Sequence, residues 1–439
     1  RGITEMNNIA CHSADHFSRR TLLQAASASG LLWLTPVAEL LAQADQKAAS
    51  GKPARSIIVL WLQGGPSQLE TFDPHPNSAV AFGSTAIDTA VKGIQLGQGF
   101  DQLAELMPHV SLVRSLVSKE GDHERATYNV KTGYAPDPTL VHPSIGAILC
   151  HQQTDQVEIP RHISILPGAW PGRGGFLGDN YDAFRVGDPL GPIPDVTARV
   201  PKPRFDERLK HLNLLEDSFA RGRLKNLDQG KTLHRTSINA ATKMMSSDQL
   251  KAFNVQDAPQ NQRDAYGDSA FGRGCLAALR LITAGVRCVE VMLDGWDTHI
   301  RNHELQLARV QTLDPAFAQL IRDLKERGLF DSTIILCAGE FGRTPKLNPT
   351  GGRDHWPHGF SVALSGGGFR GGVAIGETSP ELHDGQPNVE RDVKRPVRIE
   401  DLHTTMLTAL GIEAHREINT PVGRPMKLSK GEVVRELLS

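Results

Sequence analysis

The sequence predicts an α/β protein built on a doubly wound, mainly parallel sheet with helices on both faces. Three observations predict it. The strand-like runs are β-branched and apolar at nearly every position, as in strands covered on both faces, rather than alternating apolar with polar. These runs take turns with longer stretches of helical spacing, the order that crossovers between parallel strands require. Several runs also end abruptly in carboxylates and histidines, where such sheets present their functional groups.

Ser18-Arg19-Arg20-Thr21-Leu22-Leu23 precedes an Ala/Ser/Leu-rich run from Ala25 to Leu34, and Ala42-Gln43-Ala44 offers a small-x-small cleavage site. A basic region, a short apolar region and such a site define a secretory leader over residues 1–44. The paired arginines give it the twin-arginine type. This implies the twin-arginine export machinery as a partner and a periplasmic, extracellular or cell-surface destination. The apolar run is far short of the roughly 20 residues of a bilayer span, so no stable membrane span is expected. Residues 45–54 read as a polar linker, leaving residues 55–439 as a single domain.

Within that domain Ser56–Leu62 is the first strand. It runs into Gln63-Gly64-Gly65-Pro66-Ser67, a tight turn whose backbone amides are open to a partner. Val110–Leu116 is the second strand. Asp122 is an N-cap for a helix that stops near Thr132-Gly133. His123 therefore falls in the helix's first turn, where the dipole and spare N–H groups favour an anion. Residues 166–204, rich in Gly and Pro, read as irregular surface, and residues 205–253 as a charged helical insertion covering the main body. Residues 271–285 form a helix with a glycine stop, followed by a strand over 287–293 and a helix over 304–327. A strand over 333–338, the strand FSVALSG and a terminal helix over 401–410 complete the order.

A formal net charge of −1 gives the 439-residue chain no overall pull toward nucleic acid or an anionic membrane. Its five cysteines form no C-x-x-C pair, and Cys288 and Cys337 sit inside strand-like runs, as core thiols do. Cys11 lies before the arginine pair and does not match a lipid-attachment cysteine.

Three segments carry the chemistry. DGWDTH places Asp297 and His299 two residues apart just beyond a strand, close enough to share one ion. Carboxylate oxygen and neutral imidazole suit a divalent metal, zinc first, with manganese, calcium or iron as alternatives. GEFGRTP places Glu340 at the end of another strand, and Arg343 three residues on could grip a phosphate or sulfate in its fork. GRDHWPH supplies Asp354 and His355 in a loop, with Trp356 as an aromatic shield and His358 at the rim. GGGFRGG (Gly366–Gly372) lacks the lysine and Ser/Thr of a phosphate-binding loop and reads as a glycine turn. No G-x-S-x-G, H-E-x-x-H or strand-to-helix G-x-G-x-x-G occurs, which argues against a serine esterase, a zincin protease and a nucleotide enzyme.

With SRRTLL, IIVLWLQGGPSQLETFD, GDHERATYNVKTGY, GGFLGDNYD, RDAYG with FGRGC, DGWDTH, GEFGRTPK, GRDHWP, SGGGFRGG and VRIEDLHTTMLTALGI in order along nearly the whole chain, the sequence resembles the DUF1501 family of exported proteins. That family is itself similar to the alkaline phosphatase/sulfatase superfamily. The resemblance implies an alkaline phosphatase-like fold and a site with a nucleophile and up to two metals. Asp297, His299 and His355 match one Asp/His/His ligand set. At the other position Gln63 stands where the superfamily has aspartate, and Glu340-Phe341 where it has Asp-His. Asp122-His123 stands where alkaline phosphatases carry Asp-Ser, with Thr127 the nearest hydroxyl.

The expectation is an exported metal-dependent hydrolase of phosphate or sulfate esters, on a small molecule or a carbohydrate. Asp297, His299 and His355 would hold one metal, assisted by Glu340 or Asp354. His123 or Thr127 would meet the substrate, and Arg343 would neutralise its charge. The alternative is a non-catalytic exported binding or scaffolding protein that keeps the fold.

Overall fold

A computed structural model of the chain describes residues 52–153, 157–223 and 233–439. The leader and most of the linker expected from the sequence lie outside the described residues. Nine strands form the central sheet: β1 (Ser56–Leu62), β2 (Val110–Val117), β3 (His162–Ile165), β4 (Phe184–Val186), β5 (Cys288–Leu293), β6 (Thr333–Ala338), β7 (Phe360–Gly366), β8 (Val373–Ile375) and β9 (Val397–Arg398). The spatial order is β8-β2-β7-β6-β1-β5-β3-β4, with β9 also paired to β2. Pairing is parallel except where β7 lies antiparallel to both β6 and β2.

The longer helices are α1 (His123–Thr132), α2 (Ile145–Gln152), α3 (Lys202–Arg223), α4 (Leu233–Met245), α5 (Ala270–Thr283), α6 (Asn302–Glu326) and α7 (Ile399–Ala409). Side chains of β1 alternate between the two faces of the sheet, and both faces are covered. Ile58, Leu60 and Leu62 pack with residues of α5 and α6 such as Leu279 and Phe317. Ile57, Val59 and Trp61 pack with Val130 of α1, Ile148 of α2 and Met406 of α7. This two-sided burial explains why β1 reads as one unbroken apolar run; each fully buried aliphatic side chain contributes about 2 kcal/mol. Cys288 and Cys337 are buried thiols in β5 and β6. The stretch expected to be a helical insertion holds α3 and α4. No helix among the described residues is long and apolar enough to cross a membrane.

One strand direction decides where the loops go. β1, β5, β6 and β2 run the same way, so Gln63, Asp297, Glu340 and His123 all follow strands at one edge of the sheet. Because β7 runs backwards, the loop that precedes it, with His355, opens at that same edge. Helix α1 starts there. Asp122 caps it by accepting from the Arg125 N–H at 3.1 Å, and Gly133 ends it with φ 78°. A Cβ at Gly133 would come within 2.8 Å of the His403 ring on α7, and His403 Nε2 donates to Val130 O at 2.8 Å. Glycine thus serves both the left-handed turn and the close approach of two helices.

Burial pushes the His403 imidazole down to about 4, against the help of its hydrogen bond to Val130. A base whose folded value lies below its ordinary 6.5 is held neutral by the fold, so the unfolded chain binds the extra proton between those values. Stability contributed this way is complete above pH 6.5 and is lost as pH falls toward 4. His403→Gln, which keeps a donor for Val130, should flatten the acid limb by up to about 1.4 kcal/mol per pH unit, read from urea unfolding at stepped pH. An unchanged acid limb would exclude His403 as its source.

Candidate metal centre

Asp297 lies in the loop after β5, held between two neighbouring turns. Gly64, after β1, has φ 114°, and a Cβ there would sit 2.4 Å from the Asp297 backbone nitrogen. Trp296 is fully buried, and its backbone N–H donates to Gln63 O at 3.2 Å. On the other side a Cβ at Gly352 would overlap the His299 carbonyl carbon at 1.9 Å. The loops carrying Asp297, His299 and His355 therefore meet backbone to backbone, and only glycine permits it.

Three acceptors converge where these loops meet. Asp297 Oδ1 lies 3.1 Å from His299 Nε2 and 3.3 Å from His355 Nε2, and the two Nε2 atoms are 3.1 Å apart. Their partners behind fix the tautomers. His355 Nδ1 is 2.8 Å from the Gly121 carbonyl oxygen, which can only accept, so Nδ1 carries the proton. His299 Nδ1 lies 2.8 Å from Asp354 Oδ1. The His299 hydrogen bond, working against burial and helped by Asn348, holds the Asp354 carboxyl below its usual range, so this oxygen also accepts. With Nδ1 engaged in this way, both rings turn Nε2 toward each other and toward the carboxylate. Ligand atoms around a tetrahedral zinc are roughly 3.3 Å apart at ordinary bond lengths, so this donor set fits a divalent cation. Asp354 and the Gly121 carbonyl then play the part that outer carboxylates and carbonyls play behind ligating histidines.

His123, the first residue of α1, faces the other oxygen of Asp297, with Nε2 3.4 Å from Oδ2. Its donor atom and those of Asp297 and His355 also lie within 4.8 Å of one another. Its Nδ1 donates to Glu340 Oε1 at 2.8 Å. Hydrogen bonds to Asp297 and then Glu340 raise the His123 imidazole to about 9, against the effect of burial. Burial opposes ionisation of Asp297, yet a hydrogen bond from His123 and the Arg343 guanidinium outweigh it and hold the carboxyl well below the carboxylate range. Phe341 closes the floor, its ring 4.4 Å from that of His355 and 5.0 Å from that of His123.

Four expected site residues take posts that the sequence did not specify. Arg343 was expected to grip substrate, and the structure corrects this: the residue is fully buried and its fork is committed within the protein. Its Nε donates to Gly65 O at 2.9 Å and its Nη1 to Arg353 O at 3.0 Å. Its Nη2 donates to Gly64 O and to Asp297 Oδ1. Glu340 is also fully buried and accepts from Gln63, Gly64 and His123, facing away from the Asp297–His299–His355 convergence. Asp354 stands behind His299. Thr127 lies one turn along α1 from His123, 1% exposed, with a hydroxyl that has no hydrogen-bond partner. His358 is half-buried, its imidazole pushed down by burial.

Sequence reasoning did not single out Arg353, which is fully buried and anchors the Asp354–His355 loop. It donates to Glu70 Oε1 at 3.2 Å and to the carbonyls of Val80, Thr344 and Pro345.

A family model described as a protein of unknown function (DUF1501) matches residues 54–438. The chain belongs to the DUF1501 family. A comparison of this DUF1501 chain with curated proteins finds no match. Among solved structures it is similar to the PsFucS1 sulfatase from Pseudoalteromonas sp., at 11% identity and a TM-score of 0.40 over 90% of this chain and 77% of that one. It is similar to the zinc complex of the C-terminal periplasmic domain of EcEptC from Escherichia coli, at 11% identity and 0.38 over 89% and 93%. A protein in the alkaline phosphatase superfamily from Vibrio parahaemolyticus gives 12% identity and 0.35 over 83% and 67%.

Arg343→Met would leave three buried carbonyls without a donor and Asp297 without its cation. Losing one partner of such a buried network should cost about 3 kcal/mol in urea unfolding of the metal-free DUF1501 protein. A loss below about 1 kcal/mol would show that the turns hold without the guanidinium.

Proposed function

We propose that the protein is a metal-dependent hydrolase of phosphate or sulfate esters. The observation that carries this reading is the convergence of one carboxylate oxygen and two imidazole lone pairs, each supported from behind, beside a histidine at a helix N-terminus. Asp297, His299 and His355 would hold one divalent cation, zinc by donor type, with manganese, calcium or iron as alternatives. Such a cation supplies Lewis acidity toward an ester oxygen and charge to balance an anionic substrate.

The protein's own groups do the rest. The start of α1 favours an anion next to His123. Glu340 holds the His123 Nδ1 proton at 2.8 Å, which leaves Nε2 on the Asp297 side, able to pass a proton to the departing ester oxygen. Phe341 and the buried Trp296 keep water from beneath the centre. Arg343 holds Asp297 in place and leaves charge neutralisation of the substrate to the cation and His123. A small-molecule or carbohydrate ester is the proposed substrate, and the twin-arginine leader assigns a periplasmic or cell-surface location.

A second reading has one observation in its favour. Thr127 is buried, so no hydroxyl among the expected site residues is open to attack an ester. A fold that binds one cation without turnover would look the same.

Elemental analysis of the purified protein, followed by aryl-phosphate and aryl-sulfate assays, separates the two. One divalent cation per chain is expected, with ester turnover lost, along with most of the bound metal, in His355→Ala. Bound metal with no turnover of either ester class would favour the binding protein, and metal-free, inert protein would sink both the centre and the hydrolase.

A further inference from the structure

Trp61 belongs to the apolar face of β1, 2% exposed, and as packing it asks for no explanation. Its polar atom does. The indole Nε1–H lies 2.9 Å from Gln63 Oε1. An indole nitrogen only donates, so the Gln63 atom facing it must be the amide oxygen, and the amide cannot be turned over without setting donor against donor. Gln63 Nε2 is thereby aimed at Glu340 Oε1, 3.0 Å away. The Gly64 N–H reaches the same oxygen at 2.8 Å, and His123 Nδ1 reaches it at 2.8 Å. Glu340 is fully buried, so these donors decide where its carboxylate points.

The same tryptophan touches the other end of α1. The Lys131 ammonium lies 4.9 Å from the centre of the Trp61 ring and 3.0 Å from Glu290 Oε2. Lys131 is two turns along α1 from His123 and lies on the same side of the helix. One side chain therefore sets α1 twice: through its ring at Lys131, and through its N–H by way of Gln63 and Glu340 at His123.

We infer that Trp61 and Gln63 are positioning residues for His123, fixing through Glu340 which ring nitrogen is held by the protein and which faces the reacting ester. The inference rests on the role proposed above for His123. A tryptophan needed for packing alone would be replaced adequately by phenylalanine, which keeps an aromatic ring under Lys131 and loses only the N–H.

Trp61→Phe is therefore the test, with Gln63→Leu as a second variant that leaves the core aromatic untouched. The readout is the long-range 1H–15N spectrum of the histidine rings in the metal-free protein, with His123 assigned by His123→Gln. It is recorded as pH is stepped upward until the ring shifts stop changing, so that the neutral ring is read. The wild-type ring should show one tautomer, protonated at Nδ1. Both variants should show a mixture while still unfolding cooperatively, with unchanged metal content after reloading. On the metal-loaded enzyme, kcat toward an aryl phosphate should fall about ten- to a hundredfold while KM stays within about twofold. If Trp61→Phe does not fold, Gln63→Leu decides alone.

His123 nitrogen shifts identical to wild type in the folded variants would overturn the inference. If the wild type hydrolyses no ester, the proposed function fails, and the ring spectra still decide whether Trp61 and Gln63 set the tautomer.

Discussion

The guanidinium of Arg343 is the interaction on which the edge of the sheet depends. It is buried where no water can solvate it, and it is charged at any working pH. A charge in that position is tolerated only with a full set of acceptors. The acceptors it finds are the carbonyls of Gly64, Gly65 and Arg353 and the carboxylate of Asp297. They come from three separate loops, so satisfying one residue draws three segments of the chain together. Burial lowers the Arg343 guanidinium, and Asp297, Glu340 and Asp354 act to restore it. A substitution that removes this centre should disturb several loops at once.

Glycine makes that convergence possible. At Gly64 and Gly352 the obstacle to any side chain is backbone of the opposing loop rather than a flexible side chain that could move. Asp297, His299 and His355 are therefore placed by main chain held against main chain, which varies less than side-chain packing does. This is how atoms from residues 297, 299 and 355 come to lie within a few tenths of an ångström of the spacing an ion would impose.

The parts of the fold that were legible in the sequence are those buried on both faces. β1 and β6 have the bounds that their apolar runs predict, and α1 has both the cap and the glycine stop read for it. β3 was not read, because its four residues include His162 and Ser164, polar groups buried by tertiary contacts that no local pattern announces. The reversed direction of β7 was missed as well. A parallel neighbour needs a crossover, usually a helix, and the segment between Ala338 and Phe360 has no helical spacing, which was the available signal. At the centre, residue types and strand ends pointed to Asp297, His299 and His355. The post of Arg343 was illegible because an arginine three residues past a strand looks exposed until other loops close over it. Trp61 was hidden by its own hydrophobicity: the chemistry lies in one N–H of a residue that otherwise reads as core.

The placement of β7 also bears on the order in which the molecule can assemble. β2 is made early, yet its sheet neighbours are β7, β8 and β9, all from residues 360–398. β1 likewise waits for β5 and β6. During synthesis the first third of the domain therefore carries strands whose edges have nothing to pair with, the condition that invites association with other chains. Long-range pairing of this kind is slow to form. The chain closes its sheet only when it is nearly complete, and the centre arrives in the same late step, because His355 lies in the loop just before the strand that joins the two halves. A fragment ending before the loop that carries His355 would lack both a finished sheet and the full Asp297–His299–His355 set.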